Sequence, residues 1–438
     1  MLRGFAAIRD DPLAFLEQAQ GRYGDLVAFP VPGTPALLVN DPADVRRVLQ
    51  TNARTWTKNT IQYAALARVT GPGLLAVADE RWLTRRRIAQ PAFHHHRLEA
   101  VGESIRAAAR RVTTAWAALP VGGTVLDVDA LAMEMTLDIV GRTLFDQDLG
   151  HSTDALVRAT DEAAELVVAQ GRSVVPLPSW APTPVNRRMR RAVAELDRVC
   201  RDVVAERRAR GVQEEHRDLL SLLLAAGLPD DAVRDELVTM VLAGHETVAS
   251  ALTWTLMLLA EHPDAQDRLR QEVKQAADLG VAGLRSGLPW TRAVVDESLR
   301  LFPPGWVVSR RTTGPDVLGG HEVPAGTVVI VSPWLLHRRE DAWPDAAEFR
   351  PERFLGDVAT TARPDYVPFG LGPRLCIGRD YALVELVLIL AELLGGHEVS
   401  LPEGWQRPPI DAFVTLRPRG GLSLRVAPVP GPAAATPT

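Results

Sequence analysis

The stretch Phe369-Gly370-Leu371-Gly372-Pro373-Arg374-Leu375-Cys376-Ile377-Gly378 decides how the rest of this chain is interpreted. It holds one of only two cysteines among 438 residues, and a strongly apolar helical run, Tyr381 to Leu394, follows it. The amides of a helix N-terminus favour an anion, so they lower the pKa of a thiol and make it a better metal ligand. The glycines permit tight turns and a close approach to a flat ligand. The loop therefore predicts a thiolate at Cys376, with the cation Arg374 nearby.

A single cysteine restricts the kind of metal site. A structural zinc site needs several nitrogen or sulfur ligands, whereas one thiolate can be the only protein ligand of a haem iron. A free cysteine is more often a buried apolar side chain, but here the pattern F-x-x-G-x-R-x-C-x-G is complete. The loop resembles the haem-ligand loop of the cytochrome P-450 monooxygenases. That resemblance implies that Cys376 is the proximal ligand of haem b. It also implies a propionate contact for Arg374 and haem contacts for Phe369 and Gly378.

The composition is that of an ordinary globular protein. Apolar residues make up 46% and charged residues 24%, which are usual values. The net charge of −5 gives no basic footprint for nucleic acid. Cys200 and Cys376 are too few for a disulfide framework, which fits a reducing compartment. Charges from Arg3 to Asp11 interrupt any signal peptide, and the longest apolar run, Thr247 to Ala260, is too short to span a bilayer. We expect a cytoplasmic protein without a membrane anchor.

A small β region is predicted near the start of a mostly helical chain. Asp11 to Tyr23 is expected to form a helix, and Leu26–Phe29 and Ala36–Val39 are expected to form strands. Between Trp56 and Ala78 the periodicity is lost, as is typical of binding loops. The resemblance makes this segment the roof of the substrate pocket, and a solvated loop is the alternative. The run His94-His95-His96 is not expected to bind a metal, because consecutive residues cannot converge on one ion.

Trp82 and Arg86 share a helix face because they are four residues apart. Such a pair alone is weak evidence, since arginine stems often pack on indole rings. The pair matches the family's W-x-x-x-R, and the resemblance implies that both side chains hydrogen-bond a haem propionate. Arg85 points away from that face and is expected to be solvated.

A long helix is predicted from Asp230 to Pro263, because no helix-breaking residue interrupts the pattern. About 30 helical residues span roughly 45 Å, so this helix should cross the molecule. Gly244 lies in its middle, where glycine costs about 1 kcal/mol relative to alanine, and this suggests a purpose. The hydroxyl of Thr247 can compete for a backbone carbonyl and open the helix locally.

The segment Ala243-Gly244-His245-Glu246-Thr247 matches the family motif A-G-x-[DE]-T. The resemblance implies that Ala243 and Gly244 border the haem and a groove for dioxygen. It also implies two catalytic roles, in which Thr247 donates a hydrogen bond and Glu246 relays protons from bulk water. His245 is expected at the rim of the pocket or in packing.

Glu297 and Arg300 lie three residues apart on a predicted helix and so meet on one face. An exposed pair of this kind is worth about 0–1 kcal/mol. The pair matches the family's E-x-x-R, and Pro351–Phe354 matches the segment that supplies a third member. The resemblance therefore implies a structural network of Glu297, Arg300 and Arg353 that locks the loop before the cysteine.

The family order also locates the remaining haem and substrate contacts. It places Arg310 at a propionate, although its neighbour Arg311 is the alternative, and it gives His337 a further propionate contact. A second hairpin is predicted from Val414 to Val426. The residues expected to border the substrate are Gly305, Val307, Val308, Phe413 and Val414, and the family order also places Thr415 near the pocket.

The resemblance covers nearly the whole chain, about Pro12 to Val426. It implies a mainly α fold: a single cytochrome P-450-type domain over residues 1–426, with a small β region. Haem b is expected between the long helix and the cysteine loop. Residues 427–438 are Pro/Ala-rich and are expected to form a disordered tail.

The implied activity is a bacterial-type monooxygenase of secondary metabolism. It inserts one oxygen atom from O2 into an apolar small-molecule substrate by hydroxylation or epoxidation. Electrons are expected from NAD(P)H through a separate ferredoxin-type partner, because the chain lacks the G-x-G-x-x-G fingerprint of a dinucleotide fold. The protein is expected to be a monomer. A peroxide-driven peroxygenase is the alternative within the family, and a non-catalytic haem-binding sensor is the alternative outside it.

Overall fold

The computed structural model describes residues 10–29, 35–78, 80–94, 97–145, 181–210, 218–276, 287–356 and 363–429, with isolated positions outside these ranges. The described chain is mostly helical with a small β region, as predicted. Its helices are α1 (Pro12–Tyr23), α2 (Pro42–Arg46), α3 (Ile61–Thr70), α4 (Arg81–Ala89), α5 (Leu98–Trp116), α6 (Val128–Leu144), α7 (Pro184–Arg210), α8 (Leu219–Ala225), α9 (Asp230–Glu261), α10 (Pro263–Gln275), α11 (Pro289–Leu301), α12 (Pro333–Leu336) and α13 (Arg379–Gly396). None of the helices in these ranges has the length and apolarity of a membrane span.

The β region consists of short strands. They are β1 (Leu26–Phe29), β2 (Ala36–Val39), β3 (Trp56–Thr57), β4 (Thr124–Asp127), β5 (Val308–Thr312), β6 (Asp316–Leu318), β7 (His321–Val323), β8 (Val328–Val331), β9 (His397–Ser400), β10 (Ile410–Ala412), β11 (Leu416–Pro418) and β12 (Ser423–Pro428). The largest sheet has the order β1-β2-β8-β5-β3. β2 and β8 are parallel, and β5 is antiparallel to β8 with Arg310 opposite Val329. Because neighbouring strand residues point to opposite faces, Arg310 and Arg311 diverge here.

Helix α9 is the predicted long helix, and it is buried along most of its 32 residues. Trp254 stacks on Phe302 with ring centroids 4.4 Å apart, which fixes α9 against the end of α11. Along α6, a Cβ at Gly244 would lie 3.1 Å from Val140 Cγ2. Gly244 therefore also serves the close packing of two helices.

Beneath the cysteine loop, Glu297 and Arg300 form a fully buried ion pair. Arg300 Nε and Nη2 donate to the two carboxylate oxygens of Glu297 at 2.6 and 2.7 Å. The Arg350 N–H donates to Glu297 Oε1 at 2.9 Å, and Arg353 Nε lies 3.4 Å from the same oxygen. Arg300 also donates to the carbonyl oxygens of His337, Ala346 and Glu348. The Glu297–Arg300 pair and the backbone groups around it therefore satisfy one another, as buried ion pairs require.

His337 connects this network to the cysteine loop. Its Nε2 accepts a hydrogen bond from the Val367 N–H at 2.9 Å, and its Nδ1 donates to the Arg300 carbonyl at 3.2 Å. Burial, together with the Arg300 cation, lowers the pKa of His337 to about 3, so the ring is neutral. The network predicted from the E-x-x-R pattern thus reaches the segment that leads to Cys376.

Three segments differ from the sequence-based predictions. The segment from Trp56 to Ala78 contains the helix α3. The predicted hairpin from Val414 to Val426 is wrong, because β11 pairs with β10 and β12 pairs with β4 and β9. The predicted tail begins too early, since β12 continues to Pro428; the residues after 429 lie outside the described ranges. Strands of three residues are too short for their alternation to reveal a partner.

Candidate active site

A cavity of about 600 Å³ lies between the middle of α9 and the cysteine loop. Ala243, Gly244 and Thr247 line it from α9. Phe369, Arg374, Cys376 and Gly378 line it from the loop. The structure therefore brings together two motifs that are more than a hundred residues apart in sequence.

Cys376 is fixed at the N-terminal end of α13. Its N–H donates to the Phe369 carbonyl at 2.9 Å, and its side chain is exposed to the cavity while lying deep in the protein. Burial raises the pKa of this thiol, and the Gly378 N–H and the Arg86 cation act in the opposite direction. The lowering of the pKa expected from a helix N-terminus is thus present but is outweighed by burial.

The glycines of the cysteine loop form the predicted tight turns, and one of them also has a use that was not predicted. Gly370 and Gly372 have φ angles of 75° and 72°, which side chains rarely adopt. A Cβ at Gly372 would collide with the carbonyl oxygen of Leu49, which lies in the π-helical turn Arg47–Thr51. The close approach is therefore between two parts of the chain.

Among the residues that the structure describes, four cations line the cavity: Lys58, Arg86, Arg310 and Arg374. Arg86 Nη1 donates to the Leu375 carbonyl at 2.9 Å. Arg310 Nη1 donates to the Ser309 carbonyl at 2.8 Å and to the Tyr63 hydroxyl at 3.2 Å. The two Nη atoms of Arg374 donate to the carbonyls of Val77 and Ala78, both at 2.9 Å.

Trp82 lies between two of these cations. The Arg374 guanidinium is 4.0 Å from the centroid of the Trp82 ring, and the Arg86 guanidinium is 5.6 Å from it. Trp82 and Arg86 both line the cavity, as their shared helix face predicts. The ring therefore holds both guanidinium groups at the cavity wall by cation–π contact.

Arg310 differs in position from its alternative, Arg311, and from His337, which was predicted as a further propionate contact. Arg311 turns to the other face of the sheet, where its Nε donates to the Gly326 carbonyl at 3.2 Å. His337 is not among the described residues on the cavity wall, and both of its ring nitrogens are used by Val367 and Arg300. The predicted propionate contact of His337 therefore does not fit this geometry, whereas that of Arg310 does.

The acid and the alcohol of α9 point in different directions. Thr247 lines the cavity, and its Oγ1 donates to the Ala243 carbonyl at 2.7 Å, while α9 stays helical throughout. Glu246 is buried, and its Oε1 accepts a hydrogen bond from Thr415 Oγ1 at 2.8 Å. Burial lowers the pKa of His245 to about 4, so this neutral ring serves packing.

The part of the cavity wall formed by residues 305–308 and 413–414 is apolar, as predicted. The residues that line it include Gly305, Val307, Val308, Phe413 and Val414. Trp306 Nε1 donates to the Phe413 carbonyl at 2.9 Å and so ties the two segments together. Residues of α3 also line the cavity, so the roof predicted for this region is present as a helix.

Two further residues of the cavity were not predicted from the sequence. Lys58 is buried, its Nζ donates to the Leu75 carbonyl at 3.1 Å, and it lies 4.7 Å from the centroid of the Tyr63 ring. Burial and the Arg310 and Arg374 cations lower its pKa well below the usual value. Glu385 is buried on α13, and burial raises its pKa well above the usual range, which favours the neutral acid. Neither residue belongs to a pattern from which its burial could be inferred.

The donor set fits the predicted haem. Within the described residues, the partners of Lys58, Arg86 and Arg310 are neutral oxygens and rings, so no carboxylate there balances their charge. The propionates of a haem would supply that charge. Cys376 faces the same cavity, and its thiolate could serve as a single sulfur ligand of a haem iron.

Comparisons with known proteins identify the family. Residues 3–424 match the sequence model of the cytochrome P-450 family. Over 400 residues the chain is 35% identical to cyclooctat-9-en-7-ol 5-monooxygenase of Streptomyces melanosporofaciens, covering 87% of this chain and 84% of that protein. It is 32% identical over 428 residues to pentalenene oxygenase of Streptomyces avermitilis, covering 95% and 92%. The crystal structure of CYP175A1 from Thermus thermophilus superposes with a TM-score of 0.80 at 33% identity, covering 97% and 96%.

Proposed function

Because the chain belongs to the cytochrome P-450 family, we propose that this monooxygenase inserts one oxygen atom from O2 into an apolar, ring-containing small molecule. As a member of the family it is an oxidoreductase with a cysteine-ligated haem b. One observation carries the proposal: a single cavity has Cys376 on one side, Thr247 on the other and an apolar wall between them. The reaction would be a hydroxylation or an epoxidation.

Cys376 would hold the haem iron, and Trp82, Arg86, Arg310 and Arg374 would hold the propionates. Lys58 joins this set because it is a buried cation on the same cavity wall. When bound, the haem supplies oxygen activation, which a thiolate ligand favours by promoting O–O cleavage. Ala243, Gly244, Phe369 and Gly378 would flank the macrocycle, since all of them line the cavity.

The chain's own part in the reaction is to orient the substrate and supply protons. Thr247 would present its hydroxyl to the reacting oxygen, and Glu246 would replace the protons that are consumed. The network of Glu297, Arg300 and Arg353 would keep the cysteine loop in place without touching the substrate.

The apolar wall argues for a substrate without charge. Val307, Val308, Phe413 and Val414 offer little to a charged group, and burying an unpaired charge is costly. The names of two relatives refer to cyclooctat-9-en-7-ol and pentalenene, which have compact cyclic hydrocarbon skeletons. Among terpenoid, fatty acyl and polyketide-like molecules, we therefore favour a terpenoid.

The family implies an external electron donor. We propose NAD(P)H with a separate ferredoxin and reductase, acting on a monomer in the cytoplasm. Residues 1–426 together with the end of β12 would form the single catalytic domain.

The test is reconstitution of the purified holoprotein. Terpenoids are first screened for a substrate-induced shift of the haem spin state, and the best compound is incubated with a surrogate ferredoxin system. We expect an oxygenated product with 18O from 18O2. Product formed only with added peroxide would identify a peroxygenase, and no product under either condition would support a haem-binding sensor.

A further inference from the structure

Glu246 does not reach the cavity by itself. Its helix neighbours Ala243, Gly244 and Thr247 all line the cavity, but Glu246 is absent from the described residues of the cavity wall and is 3% exposed. Its carboxylate is directed at the segment before β11 instead. An acid in this position needs an intermediary if it is to exchange protons with the cavity.

Thr415 has the geometry of such an intermediary. It lines the cavity, it is 1% exposed, and its Oγ1 donates to Glu246 Oε1 at 2.8 Å. We propose that Thr415 carries protons from Glu246 to the side of the cavity at which O2 would react. This inference deepens the proposed monooxygenase function and rests on it.

The proton balance of this step is simple. Glu246 takes up one proton from bulk water and donates it to Thr415 Oγ, while the original hydroxyl proton of Thr415 passes to a water or hydroxyl in the cavity. One O–H bond of the threonine forms as the other breaks, so Thr415 ends neutral. For this, the Thr415 hydroxyl first rotates so that its original proton faces the cavity, and after the transfer the new O–H bond lies along the hydrogen bond to Glu246 Oε1 that the structure shows.

The long helix itself fixes Thr415 in this position. Ser250 and Trp254 follow Glu246 at intervals of four residues and so lie on the same helix stripe. Ser250 Oγ and Trp254 Nε1 both donate to the Leu416 carbonyl, at 2.6 and 2.9 Å. A hydroxyl held at both flanks is preorganised for transfer, since little motion is needed to align it.

The other flank of Thr415 is held in the same way. The Phe413 N–H donates to the Thr415 carbonyl at 3.0 Å, and Trp306 Nε1 donates to the Phe413 carbonyl at 2.9 Å. Phe413 and Val414 are apolar members of the substrate wall. Valine would fill the same volume at position 415, so packing alone does not require the hydroxyl.

The test compares T415V, T415S and the matched control S250A in the holoenzyme with a surrogate ferredoxin system and a spin-shifting compound. S250A removes a hydrogen bond to the same segment at a residue that does not line the cavity. We expect T415V to keep the spin shift but to divert several-fold more electrons to hydrogen peroxide, with a larger solvent deuterium isotope effect. T415S should behave like wild type, and S250A, which loses one bond that fixes the segment but keeps the Thr415 hydroxyl, should divert far fewer electrons to peroxide than T415V.

Wild-type coupling and isotope effect in T415V would overturn the inference. T247A and E246Q are run beside it. If they uncouple and T415V does not, only the role of Thr415 is excluded, whereas the proposed function fails if the wild-type protein forms no oxygenated product with the ferredoxin system. T415A replaces T415V if the valine variant does not bind haem. If Thr415 acted only through packing, T415V would keep the wild-type isotope effect, because valine fills the same volume.

Discussion

The base of the cavity is the cysteine loop with the network of Glu297, Arg300 and Arg353, and its roof is α3 with the segment that follows it to Ala78. Each is held by one buried glutamate, but the two glutamates have different surroundings. In the base, Glu297 is 0% exposed and is held by Arg300, Arg353 and the Arg350 amide. The difference lies in the number of partners that each carboxylate has.

In the roof, Glu236 of α9 is 1% exposed and accepts hydrogen bonds from Arg85 Nη1 at 2.9 Å and from the Leu74 N–H at 3.1 Å. Arg85, which was predicted to be solvated, is therefore an anchor. Burial raises the pKa of Glu236 despite these partners. A charge in the base is fully compensated, whereas a charge in the roof is compensated only in part.

This difference indicates which part of the site can open locally. The roof also rests on α9 through Gly71, where a Cβ would collide with the Asp235 carboxylate, and through Arg234 Nη2, which donates to the Val69 carbonyl at 2.9 Å. Gly71, Arg234 and Asp235 are half-buried in these contacts, whereas Glu297 and Arg300 are fully buried, so local opening should cost less in the roof than in the base. We expect substrate to enter by displacement of the roof.

The largest effect should follow from E297Q. Removing this charge leaves Arg300 buried without a counterion, which costs about 3–5 kcal/mol. We expect little haem-loaded protein and a much lower midpoint of thermal unfolding. E352Q, at an exposed position, is the control, and an E297Q protein as stable as wild type would contradict the importance of the base.

C376S should separate ligation from folding within the base. We expect a folded chain with the Glu297–Arg300 pair intact, but no red-shifted Soret band in the ferrous CO complex, because an alkoxide does not replace the thiolate ligand. Survival of that band in C376S would show that another residue ligates the iron.

E236Q should affect the roof alone. Loss of the ion pair with Arg85 should destabilise the closed roof by ~1 kcal/mol. This corresponds to about five-fold weaker binding of a spin-shifting compound. The CO spectrum and the haem content should not change. A change in haem content without a change in compound affinity would place Glu236 functionally with the base.

The smallest effect should be a pH dependence of the roof. The folded protein holds the proton of Glu236 at pH values where the unfolded chain has lost it, since the pKa is raised. The contribution to stability is therefore full below the ordinary glutamate pKa and falls as pH rises through the folded pKa. The difference in unfolding free energy between wild type and E236Q should follow this decline, and an increase with pH would contradict it.

The base could be predicted from the sequence and the roof could not, for a physical reason. Glu297 and Arg300 are local partners on one helix, and Cys376 lies in a complete loop pattern, so the sequence spacing carries the geometry. Helix α3 faces the cavity on one side and solvent on the other, and its apolar residues follow no clear period.

The same reason explains the partners that were missed. The pairing of Glu236 with Arg85 and that of Glu246 with Thr415 join residues more than a hundred positions apart. The sequence around either residue of such a pair does not indicate its partner. Arg310 and Arg311 likewise differ only by the strand alternation that the sheet imposes.

The inertness of Cys200 has a practical consequence. This second cysteine is buried in α7, and burial raises its pKa to about 12, so it forms almost no thiolate near neutral pH. In the haem-loaded protein Cys376 would be bound to iron, so maleimide reagents should label neither native cysteine appreciably. Ile61, at the start of α3, is 74% exposed. A fluorophore attached through I61C would therefore report the movement of the roof in an otherwise unaltered chain.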